Sequence, residues 1–494
     1  MLSLMLALSS GVIGSLVIAF LPRLNDRLRK WIVVLSCTSG IVFSWIVAQA
    51  VFSGAGVQMT GGFGGFVFKI APDELGVVFS LIVSTLWLFA GVYSFGYMAD
   101  KGNERTYYSF FLLSLSVSMG VAYSGNLIAL YLFYELLTFV TYPLVIHDRS
   151  PKAMKAGAKY ILYNLFGAGF ILIAIIATYV RAGTGDFTAT AILTGQTGTG
   201  LNLLLFVFLI GFGVKAALFP LHKWLPEAMA APTPVSALLH AVAVVYSGVY
   251  GLLRVTYSVF GFETIKNLNF AHALKWIAAF TILAGILVAA RQDVLKRRLA
   301  YQTISHLSYI LLGAFIFHPW GLAGAMLQMI GYSVLKMVLF FCAGIISERT
   351  GETEISKFGG IGYSLPWTMV AFSVASLGMI GMMPLSTFWS KYYLMKGSVQ
   401  VGVWPLAALL VVSGIINAIC FIPIIIKAFQ GEKRELMPIP RKNHVLMLAP
   451  VLLLTAVALV IGLWPGLVWP GVEHVVQLFF KEGGVALCCS NPFF

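Results

Sequence analysis

Five ionisable residues sit in stretches where water has little access. Glu135 stands in the run LYLFYELL (residues 130–137) with no other charge nearby. Lys215, His240, Lys336 and Lys391 lie in similar apolar surroundings farther along the chain. An uncompensated charge at a bilayer centre costs roughly 2.5–3.5 kcal/mol on insertion scales. Several such sites are tolerated only if they face a hydrated interior and act on one another. Burial disfavours the charged form of a side chain, and an opposite charge nearby restores it. At an effective dielectric near 20, a pair about 4 Å apart interacts by roughly 4 kcal/mol, or about 3 pKa units. A buried lysine whose partner moves would therefore load and release a proton. For a single Glu–Lys pair, a static ion pair that pins two helices explains as much. A series along the chain favours a proton relay, and it draws His240 in, although a lone histidine is more often a satisfied core residue.

The elements that carry these residues are membrane spans. Of 494 residues, 59% are hydrophobic and 10% charged, and mean hydropathy is +0.91. Soluble domains carry roughly 25% charged residues, so soluble enzymes, nucleic-acid binders and disordered scaffolds are excluded. The apolar runs are long and continuous, unlike the short alternating segments of a β-barrel. The expectation is an all-α polytopic membrane protein with about fourteen transmembrane helices and one domain over residues 1–494. The spans fall near 1–20, 31–52, 76–97, 107–124, 127–146, 156–181, 201–218, 234–256, 273–290, 302–318, 321–346, 366–395, 403–428 and 444–464. The first has no basic region before it and no convincing cleavage site, so it reads as a retained helix.

Two spans are interrupted alike. The seventh has Lys215 followed by Pro220, and the twelfth has Pro384 followed by Lys391. Proline removes a backbone donor, and the freed carbonyls need protein or water rather than lipid. A purely structural kink explains one such break. Two matched breaks, five spans apart and each beside a lysine, suggest two inverted five-helix repeats, spans 4–8 (about 107–256) and 9–13 (about 273–428). His306 begins the tenth span and is a further relay candidate towards bulk water. Lys223 and Glu227 flank a Trp-Leu-Pro turn after the first break, where they gate a channel or cap a short helix. Arg254 and Lys427 lie near span ends and are expected to snorkel to the interface.

The 32 basic against 18 acidic residues give a net charge of +14. The basic residues cluster in short loops: Arg23 to Lys30, Arg149 to Lys159, Arg291 to Arg298 and Lys433 to Lys442. Topology explains the excess without nucleic acid, because Lys and Arg are retained on the cytoplasmic side. Residues 53–72 and 183–200 are nearly free of them, so both termini are expected on the non-cytoplasmic side. Cys37, Cys342, Cys420, Cys488 and Cys489 form no disulfide framework and no zinc or iron–sulfur pattern. No nucleotide loop, metal-ligand cluster or haem motif is present in the sequence.

Residues 215–241 read KAALFPLHKWLPEAMAAPTPVSALLHA. This run closely resembles the signature of the antiporter-like subunits shared by respiratory complex I, Mrp-type Na⁺/H⁺ antiporters and membrane-bound hydrogenases. RQDVLKRRLAY (291–301) and FWSK (388–391) match later blocks, and the resemblance covers nearly the whole chain. It implies that Glu135 pairs with Lys215 and that His240 and Lys336 carry protons towards Lys391. Lysine at 391 is similar to the Mrp D-type pattern. The block AYQTISHLSY (300–309), with VAVV (242–245), looks nearer to hydrogenase-linked and formate-hydrogenlyase-like members. The chain stops shortly after its fourteenth span and so lacks the long lateral helix of the largest relatives. Two positions depart from the pattern: Tyr246 and Tyr332 stand where many relatives have a basic residue. A tyrosine hydroxyl donates and accepts hydrogen bonds but rarely holds the charge. The relay then continues through water, or the chain is a non-conducting scaffold.

The expectation that follows is a proton-translocating subunit of a multisubunit membrane complex, coupled to hydrogenase-like or complex I-like redox chemistry. The alternative is the D-type subunit of an Mrp-type Na⁺/H⁺ antiporter without redox chemistry. No cofactor is expected in this chain; iron–sulfur clusters or a NiFe site belong to partner subunits. The implied partners are other membrane subunits, peripheral redox subunits, protons, possible Na⁺ and lipid. The implied location is a bacterial or archaeal cytoplasmic membrane. An integral-membrane enzyme would instead place its polar residues in interfacial loops, whereas here they are buried.

Overall fold

A computed structural model describes residues 1–21, 24–63, 66–99, 101–188, 190–198 and 200–480. Arg23, Cys488 and Cys489 lie outside the described residues. The chain folds into helices α1 (Leu2–Phe20), α2 (Asp26–Phe52), α3 (Glu74–Tyr97), α4 (Glu104–Ala122), α5 (Leu127–Val145), α6 (Pro151–Ala182) and α7 (Gly200–Lys215). After a short α8 (Trp224–Glu227) come α9 (Thr233–Ala241), α10 (Val244–Arg254), α11 (Phe262–Ile265), α12 (Asn269–Ala290), α13 (Leu295–Phe315) and α14 (Pro319–Thr350). The remainder are α15 (Ile361–Ser364), α16 (Pro366–Ile380), α17 (Ser386–Gln400), α18 (Trp404–Ala428), α19 (Arg441–Leu463) and α20 (Trp469–Phe480).

Polar residues at the span starts fix where the helices begin. The side chains of Asn25, Asp73, Asn126 and Ser150 each accept a hydrogen bond from the backbone N–H three residues on, at 2.7, 2.9, 2.9 and 3.1 Å. Each satisfies a donor that the first turn leaves unpaired. Ser150 with Pro151 starts α6 five residues before the expected span, so Lys152, Lys155 and Lys159 are helical rather than in a loop. Among the described residues, ten helices are long and apolar enough to cross a membrane, counting Thr233–Phe260 as one. The chain is therefore an integral membrane protein. Its outward faces agree: Leu162, Val180 and Trp404 are 68%, 83% and 68% exposed, which suits lipid rather than water.

The expectation of a purely helical chain needs one correction. Strands β1 (Met59–Phe63) and β2 (Phe66–Ile70) pair antiparallel, Met59 opposite Ile70 and Gly61 opposite Phe68. The loop after α2 thus satisfies its own backbone groups at the membrane edge. Lys69 forms an ion pair with Asp186 at 3.0 Å, and Asn126 donates to the Val67 carbonyl at 2.8 Å. These contacts tie the hairpin to the start of α5 and to the loop after α6. At the opposite end, Leu295 N–H donates to Thr353, Ile355 N–H to Asp293 and Gly360 N–H to Gln430. Lys152, Lys155, Lys296 and Arg297 line one groove there. The basic groups thus gather at the end away from the hairpin.

Helix α14 is the axis of the fold. It is almost wholly buried and packs against α9, α13, α16, α17 and α19. The segment α9–α10 is buried along its length beside it. Together with α5 and α7, which hold Glu135 and Lys215, these elements carry the interior ionisable residues.

Candidate functional site

Lys215 is the last residue of α7, where the helix breaks. Ala217 adopts a left-handed conformation (φ 54°), and the Phe219–Pro220 bond is cis. The released carbonyls find partners: Gly213 accepts from Leu218 N–H at 2.9 Å and Val214 from the Trp224 indole at 2.8 Å. The break is therefore built from protein groups and needs no lipid contact. Lys215 is fully buried. Its ammonium donates to the Tyr134 carbonyl and lies 3.4 Å from the centroid of the Tyr134 ring. Glu135, the next residue of α5, interacts with Lys215 through space without forming an ion pair, and its Oε1 has no hydrogen-bond partner. The expected Glu–Lys pair thus stands apart in this conformation.

The second break separates α16 from α17. Gly381 has φ +91°, and the Met383–Pro384 bond is cis. Lys391, on α17, donates to the carbonyls of Ile380 at 2.5 Å and Met379 at 3.3 Å. A cation on the last carbonyls of a helix is favoured by the partial negative charge there. A cavity of about 300 Å³ adjoins it, lined by Gly381, Phe388, Leu410 and Gly414 among others. Both breaks therefore bring a lysine onto backbone carbonyls, but Lys215 reaches a neighbouring helix whereas Lys391 reaches its own broken span.

Between the breaks lies a contiguous polar cluster. His240 is fully buried, with Nδ1 3.3 Å from Thr303 Oγ1 and its ring against Phe340. Lys336 donates to the Leu299 carbonyl at 2.6 Å and lies near the rings of Tyr332 and Phe340. Tyr332 stacks between Tyr246 and His306, with centroids 6.5 and 5.1 Å away. Tyr246 donates to the Met329 carbonyl at 3.0 Å. The two tyrosines thus sit where the chain of basic groups is interrupted, and their rings fill the gap. No hydrogen bond or ion pair joins Lys215 to His240 among the described residues.

Several buried polar atoms of this cluster lack hydrogen-bond partners among the described residues: His240 Nε2, both amide atoms of Gln302, Ser305 Oγ, His306 Nε2 and Tyr332 Oη. Leaving such a group unpaired costs about 1–3 kcal/mol. These atoms lie close to the ionisable series, and each keeps capacity for a further hydrogen bond.

Three findings were not evident in the sequence. The eighth span is itself interrupted: α9 ends just past His240, and both Val242 and Ala243 N–H donate to the Leu238 carbonyl. Gln328, fully buried on α14, bridges His306 at 3.1 Å and Ser390 at 2.6 Å. Its spacing four and eight residues before Tyr332 and Lys336 puts all three on one helix face, a signal the sequence did carry. Arg254 does not snorkel. The helical backbone continues as a π-helical turn to Phe260, so Arg254 lies well inside the span, fully buried and bidentate on Asp73. Lys223 and Glu227 do not meet: Lys223 is exposed, and Glu227 pairs with Lys159. Among the described residues, no group of three or more His, Cys, Asp or Glu side chains is arranged to hold a metal ion.

A helical membrane protein with buried lysines at two broken helices and an ionisable cluster between them defines a class of ion-handling integral membrane proteins. The sequence matches, over residues 124–417, the family described as NADH:quinone oxidoreductase/Mrp antiporter, transmembrane. It is 33% identical to NADH-quinone oxidoreductase subunit N of Desulforudis audaxviator, over 80% of this chain and 82% of that protein. It is 27% identical to the D-type subunit of the Na⁺/H⁺ antiporter of Bacillus subtilis, over 94% of each. The fold superposes on a chain of the Mrp complex of a Dietzia species with a TM-score of 0.87 and 20% identity, covering 97% of both chains. The chain belongs to the NADH:quinone oxidoreductase/Mrp antiporter family and is an antiporter-like membrane subunit.

Proposed function

We propose that this chain is the proton-translocating subunit of a multisubunit membrane complex that couples redox chemistry elsewhere to proton movement through its own interior. Fourteen crossings account for the helices: α1 to α6 singly, then α7 with its break, α9–α10, α12, α13, α14, α16–α17, α18 and α19. Residues 107–256 and 273–428 form two inverted repeats, with Pro220 and Pro384 in their broken helices. The basic end faces the cytoplasm of a bacterial or archaeal cell, and both termini face away.

Glu135, Lys215, His240, Lys336 and Lys391 carry the proton, with His306, Tyr246 and Tyr332 completing the path by side chain or water. Movement of the Glu135 carboxylate towards Lys215 would stabilise the charged lysine by roughly 4 kcal/mol at about 4 Å. Withdrawal would return the proton to the path. Lys391, beside its cavity, exchanges with the far side. Lys223, exposed beyond the first break, lies at the cytoplasmic mouth. Any iron–sulfur or NiFe centre belongs to partner subunits. The observation that carries this reading is the contiguity of His240, Lys336, Tyr332, His306, Gln328 and Ser390 up to Lys391. The second reading, a D-type subunit of an Mrp-type Na⁺/H⁺ antiporter without redox chemistry, is favoured by the match to the Bacillus subtilis antiporter along nearly the whole chain.

Purification in mild detergent with mass spectrometry of co-purifying chains separates the two. Redox subunits support the first and small hydrophobic Mrp-like subunits the second. In everted vesicles carrying the intact complex, Lys215→Ala and Glu135→Ala are expected to abolish coupled proton transport, read by a pH-sensitive dye, while assembly persists. Normal transport in both would sink the relay.

A further inference from the structure

The relay residues do not account for Gln328, an uncharged amide buried at the junction between the interior cluster and α17. Gln328 Nε2 lies 3.1 Å from His306 Nδ1, and Gln328 Oε1 accepts from Ser390 Oγ at 2.6 Å. Ser390 directly precedes Lys391 and is fully buried, as are Gln328 and His306. The Asn417 amide lies close to the His306 ring; its nitrogen donates to the Ser413 carbonyl at 3.0 Å, and its Oδ1 remains unpaired.

Donor and acceptor matching links these groups. An amide has one accepting oxygen and one donating nitrogen. With its oxygen on the Ser390 hydroxyl, Gln328 offers N–H to His306 Nδ1, which must then be an unprotonated acceptor. The imidazole is neutral in this state, with its proton on Nε2. A second proton on the ring goes to Nδ1 and leaves two donors facing each other. A half-turn of the Gln328 amide resolves the clash: Oε1 accepts from Nδ1–H, and Nε2 now faces Ser390 Oγ. Ser390 must then accept, and its own hydrogen, formerly given to Gln328, turns to another acceptor. Both hydrogen bonds are exchanged but no covalent N–H bond of the amide forms or breaks, so Gln328 never carries the proton.

We propose that Gln328 is a positioning residue of the relay. Its amide orientation reports the protonation of His306 to the Ser390 hydroxyl on the helix that bears Lys391. This rests on the relay reading above. The other titratable groups around His306 are Tyr309 on its own helix, Tyr332 and Lys336 on α14, and Lys391 on α17.

The test is coupled proton transport by the intact complex in everted vesicles, measured across pH with a pH-sensitive dye. Gln328→Leu is expected to slow transport about tenfold, since both hydrogen bonds are lost. Ser390→Ala, a smaller change, is expected to slow it similarly, with the double variant no worse than either single one. Gln328→Glu offers acceptors to both neighbours and holds His306 charged. Its activity is expected to persist with the pH profile moved about one unit or more to higher pH, which a residue serving packing alone would not produce. Wild-type rates and profile in Gln328→Leu, additive losses in the double variant, or an unmoved profile in Gln328→Glu would each overturn the switch. If Lys215→Ala also transports normally, the relay itself has failed. If Lys215→Ala is inactive while Gln328→Leu is normal, the switch alone has failed.

Discussion

At the residue scale, Gly381 shows how narrowly Lys391 is held. Its φ of +91° lies where a side chain is strained, and an added Cβ would come within 2.7 Å of Lys391 Cδ and 3.0 Å of Nζ. Gly381→Ala should therefore push the ammonium off the Ile380 and Met379 carbonyls, at about 1–2 kcal/mol of backbone strain alone. Transport should fall several-fold in vesicles containing normal amounts of assembled complex; an unchanged rate would show that Lys391 does not need this seat. The charged candidates were legible because an ionisable residue in an apolar run stands out. Gln328 and Thr303 passed unmarked, since an uncharged polar side chain carries little cost at the sequence level, although the spacing of Gln328 to Tyr332 and Lys336 was there to be read. Arg254 misled because its distance from the span end was judged without the π-helical turn that extends the helix past it.

At the element scale, proline marked two breaks and nothing marked the third. Ala241, Val242, Ala243 and Val244 form an ordinary apolar run, yet the backbone leaves the helix at Ala243 (φ −87°, ψ −91°). No proline or glycine stands in that run, so only the tertiary structure reveals the interruption. The hairpin of β1 and β2 was likewise invisible, because a two-stranded ribbon needs few residues and little regular alternation. Contact between α10 and the first break is backbone against backbone: a Cβ on Gly248 would meet Ala216 N at 2.3 Å and Lys215 C at 2.7 Å. Gly248→Ala is expected to displace α10 from Lys215 and to lower transport about tenfold or more. Gly466→Ala, with open space around it, should leave transport unchanged. Equal rates in the two variants would contradict this account of the break.

At the scale of the whole molecule, the clustering of basic groups at one end predicts how the protein sits in its membrane. With Cys488 and Cys489 replaced, an impermeant thiol reagent should label Lys433→Cys from the cytoplasmic side and Gly54→Cys from the other. Both positions are exposed, while Cys37, Cys342 and Cys420 are buried. Labelling of the two from a single side would overturn the assignment. The general helical architecture was legible from composition; the polarity rests on loop charge and awaits this labelling.

Helix α14 is 32 residues long, about 48 Å at 1.5 Å per residue, and its contact with α17 repeats at successive turns. A Cβ on Gly324 would meet the Leu394 backbone at 2.8 Å and the Ser390 carbonyl at 3.0 Å, and one on Gly331 would meet Ser386 at 2.7 Å. Packing that close disfavours sliding of one helix along the other. Gln328, Tyr332 and Lys336 thus ride on a fixed rail, and the parts left free to move are torsions and bound solvent. Such motions occur within nanoseconds to microseconds, whereas collective domain movements take up to milliseconds. On the proposed relay, a cycle run on torsions would be paced by the partner subunits rather than by rearrangement of this frame, and the chain would act as a stiff conduit.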